Sequence, residues 1–100
     1  MAETGEIEIP RSTPGDRGRY YLLEAVRDGD VVHTLYKRVG PSVTGYTRFD
    51  VDCTTRQHRD LGYSEESPEA IRPYEHPPDW SDFIEGSSKG DVVKFVCARK

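Results

Sequence analysis

A chain of 100 residues has the usual size of a single domain, and its formal charge of −4 is unevenly spread: residues 64–85 hold seven acids against Arg72, about −6, leaving about +2 elsewhere. A weakly charged body with one acidic stretch lacks the clustered Lys and Arg that grip phosphate backbones, so nucleic-acid binding is not expected. No apolar run approaches the roughly 18 residues of a membrane span, and no basic start with an apolar centre marks a signal peptide; as written the chain is expected in the cytoplasm, or in the periplasm or at the cell surface if it is a processed form.

Residues 1–18 contain Pro10, Pro14 and three Gly with few large apolar residues, and are expected to form a flexible arm. The alternation of Ile7 and Ile9 with Glu6 and Glu8 leaves a short edge strand as the other reading. A single domain is expected over 19–100. In it, YYLLEAVR from Tyr20 runs into Asp28 and Gly29, a dipeptide that supplies the positive φ of a type I′ hairpin turn. That turn places Ala25 opposite Val32, Leu23 opposite Thr34 and Tyr21 opposite Tyr36. Tyr21, Leu23, Val32 and Tyr36 are then the core face, and the other face pairs Glu24 with His33.

A Gly- and Pro-containing loop at 39–45 leads to the clearest strand, 46–53, where Thr47, Phe49, Val51 and Cys53 alternate with Tyr46, Arg48, Asp50 and Asp52. The second set is expected to be a solvated face. After a polar turn at 54–57, residues 58–63 return as a partner strand with Leu61 and Tyr63 inward. Residues 64–79 carry Pro68, Pro73, Pro77 and Pro78 among acids and form a surface flap. Trp80, Phe83 and Ile84 re-anchor the chain. Ser88 and Asp91 give a capping-box pattern, and Val92, Phe95 and Val96 recur at helical spacing. The predicted fold is α+β: a twisted antiparallel sheet of three to five strands with one C-terminal helix.

Three segments in order, YTRFDVDCTTRQHRDLGY, a Pro-rich stretch reaching Trp80, and GSSKGDVVKFVC, resemble the surface-adhesin protein E family of small bacterial sheet-plus-helix domains. Val51, Asp52 and Cys53 stand where that family has a strand ending in Phe-Asp-Cys, and residues 86–97 match its closing helix. The resemblance implies that Cys53 and Cys97 form a disulfide. By themselves, two cysteines in a reducing compartment are equally read as buried thiols. It also implies another protein as the ligand if the chain is exported.

No constellation for catalysis emerges, and no cofactor is expected. Cys53, His58, His76 and Cys97 have no close-spaced zinc pattern. His33 opposite Glu24 lacks a nucleophile, and neither GDRG nor GSSKG has Walker spacing. Six Tyr and one Trp exceed what so small a core hides, which directs attention to Tyr46, Tyr63, Tyr74 and Trp80 as a binding rim. The expected function is a non-enzymatic protein-interaction domain. The alternatives are an acidic mimic of nucleic acid acting as an inhibitor or regulator through residues 65–85, and a small-molecule site or enzyme around His33.

Overall fold

The computed structural model describes residues 2–12 and 15–99. Six strands form one antiparallel sheet whose order follows the sequence: β1 (Ala2–Ile9), β2 (Arg19–Asp28), β3 (Val31–Val39), β4 (Thr44–Asp52), β5 (Gln57–Ser64) and the two-residue β6 (Ser81–Asp82). A single helix, α1 (Ser88–Ala98), packs against one face of β1 to β4. The fold is α+β as expected, with more strands than the three to five predicted.

Within residues 1–18, Ala2–Ile9 is an edge strand, the other reading of that segment. Ala2–Ile9 pairs with β2, Ile7 opposite Leu22 and Ile9 opposite Tyr20, and Ile9 is fully buried in the core. Burying one such aliphatic side chain contributes about 1.5–3 kcal/mol, which helps to offset ordering a strand. Met1, Thr13 and Pro14 lie outside the described residues.

The β2–β3 hairpin differs from its predicted register. The turn residues are Gly29 and Asp30, with Asp28 opposite Val31, and positive φ falls on Gly29 alone. This is the type II′ pattern, which spares Asp28 the left-handed conformation that a type I′ turn would impose on it. Farther along, a bulge between Leu22 and Glu24 inserts an extra residue in β2. Because a one-residue slip exchanges the two faces of a strand, Ala25 faces the core before the bulge, and Leu22 and Tyr20 face it after. Val32 and Tyr36 are buried as predicted; Tyr21 and Leu23 are not in the core, and Leu22 and Tyr20 take their place.

Strand β4 follows its predicted alternation on the core side, with Phe49 and Val51 completely buried against Val92, Val93 and Val96 of α1. Ser87, one residue before the predicted cap, accepts the Gly90 N–H at 2.9 Å and starts the helix. Cys53, just past β4, and Cys97, in the last turn of α1, are disulfide-bonded with Cα atoms 5.5 Å apart. The bond fastens the far end of α1 to the sheet and withdraws both cysteines from any metal-ligand set with His58 and His76.

A second bulge at Leu61 shifts β5, so that Phe49 lies opposite Asp60 and Thr47 opposite Tyr63. Leu61 is only half-buried, and Tyr63, predicted inward, is 45% exposed at the rim of the helix face. The following segment contains a short 3-10 turn, Pro68–Ala70, and then lies along β5: the Tyr74 N–H donates to the Leu61 carbonyl at 2.7 Å, and β6 pairs with Gln57 and His58. Phe83 packs against the core. Ile84, predicted to anchor there, is 71% exposed.

Candidate functional site

At the end of the sheet where β2 starts and β3 ends, Tyr20, Tyr36, Arg38, Val43, Gly45, Thr47 and Tyr63 enclose a cleft of about 150 Å³. Tyr20 and Tyr36 are stacked with centroids 5.8 Å apart, and Tyr36 meets Phe49 edge-on at 5.1 Å, so the back wall is continuous with the core. Val43 and Tyr63, two of the few exposed large apolar residues, form the mouth.

Glycines make the room. A Cβ at Gly45 would lie 2.7 Å from Cε1 of Tyr63, so only glycine lets that ring lie over β4. A Cβ at Gly18 or Gly40 would come within 2.5 Å of the Arg38 guanidinium, which runs past both. Arg38 is held from the other side by Asp16 at 2.7 Å.

Asp16 is the hub of the support. It accepts from Arg38, from the Ser88 hydroxyl at 2.6 Å, from the Gly18 N–H at 2.8 Å and from the Tyr20 hydroxyl at 3.0 Å. The Arg38 and Ser88 bonds hold its carboxyl well below the usual carboxylate range, and in return Asp16 raises the pKa of Arg38. Arg11 lies over the Tyr20 ring at 4.3 Å and donates to the Gly18 carbonyl, Ser88 and Asp91. Burial pushes the Asp91 carboxyl up, but hydrogen bonds from the Ser12 hydroxyl, the Ser12 N–H and Arg11 outweigh it, and the net shift is downward. The side chains behind the cleft are thereby fixed before any ligand arrives.

Its hydroxyls are neutral. Burial pushes the Tyr36 phenol far above its ordinary value, more than its bond with Thr47 lowers it, and burial together with the bond to Glu65 raises Tyr63. A protonated phenol donates and accepts hydrogen bonds, but at neutral pH it is not a general base. Arg38 is charge-balanced by Asp16, so the cleft offers flat apolar surface and hydrogen bonds without a free charge.

Of the four rim residues singled out in the sequence, the structure brings Tyr63 and Tyr74 to this end. Tyr74 is 44% exposed and close enough to Tyr36 to raise its pKa. Tyr46 projects from the opposite face of β4, where it is cross-strand neighbour to Lys37. Trp80 lies beside β5 under the Arg59 guanidinium, 4.9 Å from the ring centroid. Tyr20 and Arg38 were missed: the bulge hides the inward face of Tyr20, and the only signal for Arg38 is the glycines at 18 and 40.

His33 does not face Glu24. The shifted hairpin register sets it opposite Val26 of β2; on its other side it lies opposite Asp50 of β4, whose carboxylate bonds to Nδ1 at 2.7 Å, while Asp28 lies 3.5 Å from Nε2. The Asp50 bond raises the His33 pKa. Asp50, expected on a solvated face, is buried, and Glu24 accepts from Arg48 at 3.3 Å. Asp52 caps the next turn by accepting the N–H groups of Thr54 and Thr55.

No protein-family model, curated protein or solved structure matches this chain.

Proposed function

We propose that the chain is a non-enzymatic protein-interaction domain that seats one uncharged side chain of a partner in the tyrosine cleft. The observation that carries this reading is the cleft itself, walled by Tyr20, Tyr36 and Tyr63, with Gly45 leaving room for the Tyr63 ring and Gly18 and Gly40 for Arg38. A cavity of this size accommodates one small ring: an apolar cavity of about 150 Å³ is enough to bind benzene. It is below the roughly 300–1,000 Å³ of most small-molecule pockets, which favours a side chain over a free cofactor or substrate. Rigid tyrosines with their supports already in place lose little entropy on binding, and aromatic anchors dominate protein interfaces. The resemblance to surface-adhesin protein E supports a protein ligand, and the bonded cysteines suit an oxidising compartment.

The test is selection of a random peptide library on the wild-type domain, followed by titration of the selected peptides against Tyr63→Ala, Gly45→Val and Trp80→Ala. Tyr63→Ala is expected to weaken binding about tenfold or more, Gly45→Val to abolish it by displacing the Tyr63 ring, and Trp80→Ala to leave it unchanged. Equal affinity for wild type and Tyr63→Ala would overturn the proposal. Binding that disappears in about 0.5 M salt would instead favour the acidic-mimic reading, since screened charge and not aromatic contact would be holding the ligand.

A further inference from the structure

The opposite edge of the sheet carries a second, independent feature. β1 ends the strand order, so its outer side has no neighbouring strand among the described residues, whereas the β5 edge is covered by Tyr74 and β6. Helix α1 packs beside β1 and β2: the N–H of Ser12, three residues past β1, donates to Asp91 in its first turn at 2.9 Å, and Arg27 of β2 donates to the carbonyl of Arg99, just past its last turn, at 2.9 Å. At the first of these contacts is a cavity of about 310 Å³ lined by Pro10, Arg11 and Ser12, which directly follow β1, and by Asp91, Lys94 and Phe95 from the helix. Positions 91, 94 and 95 share one helical face.

We propose that the open edge of β1 and this cavity together form a docking groove for an extended partner segment that alternates apolar and basic side chains. Strand addition supplies main-chain hydrogen bonds along residues 6–9, beyond the irregularity at Gly5, where φ is 124°. Every second side chain of the added strand then lies on the helix side, level with Ile7 and Ile9, and one of them fills the cavity over Pro10 and Phe95. The remaining side chains lie on the far side, level with Glu6, which Lys37 already pairs, and with the exposed Glu8, where Lys or Arg is favoured.

Two other occupants fit less well. A second copy pairing through β1 would set this acidic strand against itself, and like charges directly opposite are destabilising. A small polar ligand would find Arg11 already bonded to Gly18, Ser88 and Asp91. Lys94 is tied only through its exposed pair with Glu85, a contact of the kind worth little in water, and is free to swing aside.

The experiment uses isotope-labelled full-length protein and two synthetic heptapeptides, one alternating valine with lysine and one alternating valine with glutamate. The lysine peptide is expected to slow amide exchange at residues 7–9 and to shift the resonances of Lys94 and Phe95. Glu8→Lys should weaken it about fivefold and strengthen the glutamate peptide. Tyr63→Ala should change neither, which keeps this test separate from that of the cleft. The proposal is overturned if residues 7–9 gain no protection, or if both peptides bind alike. It is also overturned if protection rises with protein concentration in the absence of peptide, because the occupant is then a second copy.

Discussion

His33 and His58 stand on opposite faces of one sheet and answer to opposite forces. On the open face, His33 is partly exposed beside Asp50 and Asp28, and its charged form is favoured. On the helix-covered face, His58 lies 5.9 Å from Phe49, where burial first and the Lys89 ammonium second push its pKa down. The open face uses long charged side chains as its cover, Arg48 with Glu24, both more than a third exposed, and the more buried Lys37 with the exposed Glu6. The covered face excludes water with Phe49, Val51 and three valines of α1, and holds its charges in pairs, Lys89 with Asp60 and Arg38 with Asp16, each at 2.7 Å. Covering a face, more than its residue types, determines what a substitution there costs.

The largest test of that contrast is Phe49→Ala against Arg48→Ala, neighbours in one strand that face opposite ways. Phe49→Ala should cost about 3–5 kcal/mol and leave a cavity under α1, whereas Arg48→Ala should cost no more than about 1 kcal/mol. Urea denaturation of both variants measures the difference; similar losses would mean that the open face is covered after all. Next is the pin on the helix. Cys97→Ser, or a reductant, removes a cross-link spanning 44 positions in sequence, worth about 4 kcal/mol in the chain-entropy model, and should lower the melting temperature by more than about 10 °C.

A smaller effect is expected at Asp16. Its carboxyl is depressed in the folded chain, so it contributes stability fully above its ordinary pKa of 3.8, and that contribution is lost as pH falls below 3.8 toward the depressed value. Asp16→Asn should cost about 2 kcal/mol at neutral pH and much less in strong acid, measured as the difference between the two acid-unfolding curves.

The two histidines give the smallest effects and the sharpest contrast, because their signs differ. His33, with a raised pKa, stabilises the fold below its unfolded value of 6.5 and loses that contribution as pH rises through the folded pKa. His58, with a lowered pKa, withholds stability as pH falls below 6.5. Relative to wild type, His33→Gln should therefore lose more stability at about pH 5 than at about pH 8, and His58→Gln should lose less at the lower pH. Parallel pH profiles for the two variants would contradict this assignment of faces.

The sequence showed the regular parts of this fold and hid its irregular ones. Strand β4 was legible because Thr47, Phe49, Val51 and Cys53 alternate without interruption, and α1 because Val92 and Val96 recur at helical spacing beside a serine cap. The β2–β3 pairing was not legible, since Asp28-Gly29 and Gly29-Asp30 are both acceptable turns and nothing local marks the extra residue at Leu23. The slip moved the β2 partner of His33 from Glu24 to Val26, and the bulge turned Leu22 and Tyr20 inward, creating the back wall of the cleft. Strand β1 was obscured by Gly5 and Pro10, although Ile7 and Ile9 carried its pattern. Tyr63 was noticed for being aromatic, but the glycine that lets it lie flat belongs to another strand, and that relation exists only once the strands are paired.

The meander order has a consequence for how the chain is made. Each strand pairs with the one synthesised just before it, and β2 to β5 are joined by short loops, a topology that favours rapid local pairing. The helix that covers the core follows all six strands, and its ties to the rest, Asp91 to Ser12 and Cys97 to Cys53, span 79 and 44 positions. A sheet assembled during synthesis therefore has Phe49 and Val51 bare until α1 emerges. That interval is when a nascent chain is most exposed to aggregation and to the hold of a chaperone.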